Sequence, residues 1–394
     1  VSAPLSVGIV CFPSLGGSGI VASDLAVGLS LRGHRVHVIT SAPPSRTLPP
    51  LERLFLHEVS APGHPAIQDA PYALALAAKI VEIAEGHGLD IVHVHYALPH
   101  AASAYLARQV LGRAAPRIVT TLHGTDVTRI GSDPSYRSIT RFTVTRSDGV
   151  TVPSEFLKSE AYRRLGVPAD VPIEVIPNFV DVDHFTPAGR RDRAHFDALF
   201  DAAGGDPADR GAPVLFHVSS FRPVKRVTDL VETLARVRRR ARARLMLVGD
   251  GPDREPLMAR ARELDVARSV RLVGTHAEFV DDLRHADAFL LSSETESFGV
   301  AALEAMSCGV PVCAYRVGGL PEVVTPDVGR LVEPRNVDAL AAAALEIVSD
   351  EARRDALGRA ARARAAAFFH RDHAIDRYED HYRRAIAAAA REAV

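Results

Sequence analysis

Two carboxylates, Glu296 and Glu304, have seven residues between them in the segment Glu294-Thr295-Glu296-Ser297-Phe298-Gly299-Val300-Ala301-Ala302-Leu303-Glu304. The segment follows an apolar run and turns into a helix, with Glu304 two helical turns in. A turn of this kind aims backbone N–H groups of Ser297, Phe298, Gly299 and Val300 at one place. One ligand with a sugar at one end and a ribose farther along suits the pair, although a helix-start Glu is also a common dipole partner. A second segment, Ser219-Ser220-Phe221-Arg222-Pro223-Val224-Lys225-Arg226, also joins a strand to a helix. Arg222 and Lys225 would meet a diphosphate as planar fork and point charge, and the plainer alternative is a basic pair on a solvated turn. Lys79, Lys158 and Lys225 are the only lysines of the chain.

Two further segments carry chemistry at the other end of the sequence. Gly16-Gly17-Ser18-Gly19 lets backbone N–H groups approach a phosphate or sugar at a helix start. It matches neither G-x-G-x-x-G nor a Walker loop, and a tight strand-to-helix turn explains it equally well. Val119-Thr120-Thr121-Leu122-His123-Gly124-Thr125-Asp126 ends a strand with a histidine aimed at a cleft, where it would bond a sugar hydroxyl or simply cap a turn.

The elements that position these segments alternate. Strand signals fall at Leu5–Phe12, His34–Thr40, Leu54–Val59, Asp90–His95, Arg117–Leu122, Gly149–Val152 and Ile173–Ile176, with helices between them. The first helix, about Ser18 to Arg32, reads as amphipathic. The polar stretch Asp181 to Gly211 reads as a connection, after which the rhythm restarts. Strands are expected at Val214–Ser219, Arg244–Val248, Val270–Val273, Ala288–Leu291, Val310–Ala314 and Gly329–Val332, and Ala- and Arg-rich helices close the chain. The fold class is therefore α/β, with two doubly wound Rossmann-like domains and a ligand expected between them at the strands' C-terminal ends. The boundaries are set at residues 1–185 and 186–371, and a final helix, about 372–394, packs back on the first domain or joins a partner.

Composition narrows the function. With 394 residues, 47% hydrophobic and 24% charged, the chain buries a sizeable core. A formal net charge of −1 gives no pull toward nucleic acid or an anionic membrane. Three cysteines, Cys11, Cys308 and Cys313, an N-terminus without a signal-peptide pattern and no bilayer-length apolar run point to a reduced cytoplasmic location.

Taken in order, the four segments resemble the GT-B glycosyltransferases of family 4, over nearly the whole chain. Further motifs match the family's bacillithiol-pathway branch: Pro62-Gly63-His64-Pro65, His93-Val94-His95-Tyr96-Ala97-Leu98-Pro99-His100 and Ile176-Pro177-Asn178-Phe179-Val180-Asp181. The resemblance implies a retaining transfer of N-acetylglucosamine from UDP-N-acetylglucosamine to the hydroxyl of L-malate, the first step of that pathway, without a metal or other cofactor. It implies catalytic roles for His123, Lys225, Arg222 and Glu296. It places the nucleotide sugar on Gly16, Gly17, Ser220, Arg222, Lys225, Glu296, Ser297, Phe298, Gly299, Val300 and Glu304. The acceptor is expected on Ser18, Tyr96, Thr120, Thr121 and Arg141. One departure is that Ser220 stands where many family members carry an Arg five residues before the phosphate-binding Lys.

Rival readings are an inositol phosphate acceptor, an epimerase acting on UDP-N-acetylglucosamine, a nucleotide-sugar-binding module without turnover, and a metal enzyme. The last would use His93, His95, His100 and His123, or the D-x-D of Asp181-Val182-Asp183, for which chance is the better explanation. The partners expected are the two small substrates, with a homodimer left open.

Overall fold

The computed structural model describes residues 3–13, 17–44, 46, 48–60, 71–189, 191–275 and 279–392. Gly16 and Pro62-Gly63-His64-Pro65 lie outside the described residues. The chain divides into two compact units, Val1–Asn178 with Arg371–Val394, and Phe179–His370.

Among the described residues, the first unit holds β1 (Ser6–Val10), β2 (Arg35–Thr40), β3 (Leu54–Glu58), β4 (Ile91–His95), β5 (Arg117–Thr121), β6 (Gly149–Val152) and β7 (Ile173–Val175). The sheet runs β3-β2-β1-β4-β5-β6-β7, parallel throughout. Strands buried on both faces tend to read as apolar runs, as β1 does, whereas β4, buried throughout, carries His93 and His95 within its run. Strand order reverses between β1 and β4, which opens a crevice at their C-terminal ends.

The helix Gly17–Leu31 after β1 is buried nearly all round, not amphipathic. Its outer side is covered by the C-terminal helix Arg371–Glu392, packed so closely that a Cβ on Gly28 would sit 2.1 Å from Ile375 Cδ1. Arg32 pairs with Asp376, and Tyr378 and Tyr382 are buried beneath the same helix.

The second unit holds β8 (Val214–Val218), β9 (Arg244–Val248), β10 (Val270–Gly274), β11 (Ala288–Leu291), β12 (Val312–Tyr315) and β13 (Gly329–Val332). Its parallel order is β10-β9-β8-β11-β12-β13, with the reversal between β8 and β11. The expected connection 181–211 contains a helix, Arg193–Asp201, capped by Asp192 and burying Phe196 and Phe200. Residues 179–185 go with this unit rather than the first, because Val180, Val182 and Phe185 bury in its core. Asp181-Val182-Asp183 is a local turn in which Asp181 Oδ1 accepts the backbone N–H of Asp183 and His184.

Candidate functional site

In the second unit the two chemistry-bearing loops leave β8 and β11, the strands at the reversal, so the fold sets them side by side. Glu294 N–H donates to the Val224 carbonyl at 2.8 Å. Ser292 Oγ donates to the carbonyls of Lys225 (2.9 Å) and Arg226 (3.0 Å). Lys225 Nζ then lies 2.6 Å from Glu296 Oε1, which also accepts from Ser293 Oγ at 2.7 Å. Both side chains are largely buried, at 19% and 13% exposed, so this contact feels less screening than a surface pair. The expected phosphate cation and the expected sugar carboxylate are in direct contact.

Glu296 is held by its backbone as well. Its carbonyl accepts from Gly319 N–H at 2.9 Å, and a Cβ on Gly318, whose φ is +56°, would lie 1.7 Å from that oxygen. Gly299 takes φ +99° to start the helix Val300–Ser307, whose first N–H groups lack intrahelical partners by construction. Phe298 is buried there and Ser297 and Val300 are half-buried, while Glu304 is buried on the second turn. Arg222 is exposed and donates from Nε to Ser220 Oγ at 3.0 Å. The residue that departs from the family's usual Arg thus orients the Arg two places on.

Three features here escaped the sequence reading. His217 on β8 sits 2.8 Å from the Leu290 carbonyl through Nδ1 and 2.7 Å from Ser219 Oγ through Nε2. Nδ1 is therefore the donor, Nε2 accepts from Ser219, and burial pushes the ring's pKa down to about 4. Gly249-Asp250-Gly251 after β9 braces the phosphate loop: Phe221 N–H donates to the Asp250 carbonyl at 2.8 Å. A Gly-x-Gly directly after a strand was the available signal. Arg226 bridges Asp229 (2.9 Å) and Glu294 (3.2 Å), and Arg335 reaches Glu294 at 2.7 Å.

In the first unit the C-terminal edges of β1, β4 and β5 carry Gly17 and Ser18, Tyr96, and His123. Gly17 is exposed and Ser18 half-buried at the helix start. Tyr96 has φ +87° and its N–H donates to the Thr121 carbonyl at 2.9 Å, while its ring lies 5.2 Å from that of His123. His123 is buried, with Nε2 2.8 Å from His95 Nδ1, and burial pushes its pKa down to about 3. The loop is knitted by Asp126, whose carboxylate accepts N–H groups of His123 (3.0 Å), Gly124 (2.9 Å) and Ala97 (3.4 Å). Burial raises this carboxyl to about 6, and the N–H bonds oppose that shift.

Thr120 and Thr121 have their hydroxyls turned to partners inside the unit, and Arg141 lies apart from these residues. Thr120 Oγ1 meets Ser147 Oγ at 2.7 Å, and Thr121 Oγ1 meets His93 Nε2 and Thr151 Oγ1, each at 2.6 Å, so both hydroxyls are engaged inside the unit. Arg141 is exposed in a groove of about 400 Å³ with Gly166, Pro168, Asp170 and Val171. Those residues lead into the start of β7, so the groove lies at the strands' N-terminal ends, away from His123. His93, His95, His100 and His123 do cluster, yet no group of three or more His, Cys, Asp or Glu among the described residues is arranged to hold a metal ion.

Residues 15–184 fit the family model "Glycosyltransferase Family 4" and residues 205–364 the model "Glycosyl transferases group 1". N-acetyl-alpha-D-glucosaminyl L-malate synthase of Bacillus anthracis is 38% identical over 96% of both chains. D-inositol 3-phosphate glycosyltransferase of Saccharomonospora viridis is 31% identical over 95% of this chain and 90% of that protein. In fold, a glycosyltransferase of Rickettsia africae superposes with a TM-score of 0.77 at 21% identity, covering 98% of this chain and 99% of its own. HepE of Anabaena, solved with UDP and glucose, gives 0.77 at 20% identity over 95% and 98%.

Proposed function

The chain belongs to glycosyltransferase family 4, with two Rossmann-like units of the GT-B type, and on that premise we propose that it transfers N-acetylglucosamine from UDP-N-acetylglucosamine to the hydroxyl of L-malate with retention at the anomeric carbon. The observation that carries this reading is the contact between Lys225 and Glu296, which joins a phosphate cation to a sugar-binding carboxylate at the start of a helix. The near full-length likeness to the Bacillus anthracis protein supports the choice of substrates.

In the reaction the bond from the anomeric carbon to the β-phosphate oxygen breaks, and negative charge grows on the diphosphate. Lys225, Arg222 and the N–H groups at Phe298–Val300 stabilise that charge. Glu296 holds sugar hydroxyls and Glu304 the ribose. His123 bonds the sugar, and its carbonyl favours the developing positive charge. The malate hydroxyl attacks from the face the diphosphate leaves, and a β-phosphate oxygen takes its proton, so UDP departs and no protein nucleophile is needed. Ser18 and Tyr96 are the acceptor contacts that the first unit offers at the edge beside His123. No metal takes part in this scheme. The compartment proposed is the cytoplasm, where three buried thiols stay reduced.

Mass spectrometry of products from UDP-N-acetylglucosamine tests it, with malate, with inositol phosphate and with no acceptor. A malate conjugate of the expected mass, whose anomeric coupling constant in proton NMR is that of the α-linkage, is expected. A product formed only with inositol phosphate, or sugar conversion without acceptor, would overturn it.

A further inference from the structure

His95 is fully buried on β4 and takes no direct part in the transfer just described. Its Nδ1 lies 2.8 Å from His123 Nε2, with the rings stacked at 22° and their centroids 5.0 Å apart. Burial holds both rings neutral. Two neutral imidazoles carry one N–H each, so one proton occupies this contact, and its owner decides where the other N–H points. Suppose His123 donated from Nε2. His95 would then carry its own proton on Nε2, which is buried with no hydrogen-bond partner. A sealed donor without an acceptor is rarer and less tolerable than an unfilled lone pair. The reverse assignment leaves only a bare lone pair at His95 Nε2.

The surroundings hold His95 in that arrangement. His93 packs on its ring at 4.5 Å between centroids and is clamped by Tyr382 OH (2.7 Å) and Thr121 Oγ1 (2.6 Å). The His95 carbonyl accepts from His100 Nδ1, which fixes the backbone at the end of β4. His123 keeps 8% of its surface exposed. With Nε2 committed to His95, its open nitrogen is Nδ1.

We infer that His95 is a positioning residue that donates Nδ1–H to His123 Nε2 and so fixes His123 as the Nδ1–H tautomer, a hydrogen-bond donor toward a hydroxyl oxygen of the substrate sugar. This rests on the proposed placement of His123 against the sugar, but the tautomer can be read without any turnover. Nitrogen NMR of histidine-labelled full-length protein should show His123 protonated at Nδ1. His95→Asn, whose amide N–H can stand in for the lost donor, should keep that signature and most of kcat. His95→Leu should lose the single tautomer and lower kcat by about tenfold to a hundredfold, the scale of a misplaced catalytic contact, with KM for the sugar nucleotide moving less. His123 protonated at Nε2 in the unaltered protein would overturn the inference, whatever the acceptor proves to be. So would an Asn variant that loses the signature while folded, or a folded Leu variant with an unchanged spectrum and kcat. Should His95→Leu not fold, the unaltered protein and the Asn variant decide.

Discussion

At the scale of single residues, the proposed transfer rests most on Lys225 as the cation at the diphosphate. Lys225→Ala removes the charge proposed to meet the leaving diphosphate and leaves Glu296 a partly buried carboxylate without its ion-pair partner. Transfer should fall by at least about a hundredfold, the loss seen when one preorganised electrostatic donor is deleted. Steady-state rates within tenfold of the unaltered enzyme would count against the assignment. Arg141 gives the opposite expectation. It sits in a groove at the strands' N-terminal ends, so Arg141→Ala should leave the malate titration where it was, and a raised malate requirement would return it to the acceptor site. Residue types and spacing singled out Lys225 and Glu296 in separate loops, and the structure brings the two side chains into contact. Thr120 and Thr121 were expected at the acceptor, and their hydroxyls are engaged within the unit for a physical reason. Neighbours on a strand face opposite sides, and here both sides are interior, so proximity to His123 in sequence did not mean access to ligand.

At the scale of elements, the site depends on loops that brace one another across the sheet. Gly249 has φ +138°, and a Cβ there would lie 1.8 Å from the Ser219 carbonyl oxygen. Gly249→Ala must therefore shift the loop carrying Arg222 and Lys225 as well as strain its own backbone, at a cost of order 1–3 kcal/mol. Calorimetry should show a lower Tm and titration with UDP a weaker Kd, and an unchanged pair of values would mean the brace does not position the phosphate loop. The strand order whose reversal places the loops comes from the structure, while the strands and the helices between them were readable from apolar runs and periodicity. The helix Arg193–Asp201 was not. Only Phe196 and Phe200 mark its buried stripe, and the acidic and basic residues around them read as a linker. Phe196→Ala, which empties a fully buried site, should cost about 3–5 kcal/mol and expose this helix as part of the second core.

At the scale of the whole molecule, the duplicated α/β rhythm was plain in the sequence, whereas the last helix was read with two outcomes, packing back on the first domain or joining a partner, and the structure shows the return. That return depends on a notch at Gly28 and on Tyr382 meeting His93, which no local pattern announces. The same packing distributes buried histidines unevenly, and this sets a pH response. The first unit seals His93, His95, His100 and His123, all with pKa values depressed by burial: His100 to about 4, His123 to about 3, and the other two well below the ordinary value. The second unit seals His217, at about 4. A histidine with a depressed folded pKa contributes stability above about pH 6.5 that is lost as pH falls, because the unfolded chain takes up the proton first. Each such ring erodes stability by about 1.4 kcal/mol per pH unit between 6.5 and its folded value. Asp126 works the other way: its carboxyl, raised to about 6, is protonated when folded and ionised when unfolded between there and about pH 3.9, so acidification favours the fold and offsets roughly one histidine. His37, also in the first unit and lowered by burial to about 4, makes about four uncompensated rings there against one in the second. Hydrogen exchange followed by mass spectrometry from pH 7 down to about pH 4 should find residues 1–178 and 371–392 opening at a higher pH than 179–370. The chain has no tryptophan, so exchange resolves the two units where intrinsic fluorescence would not. Simultaneous opening, or earlier loss of the second unit, would mean that the buried histidines do not govern the acid limit of the fold.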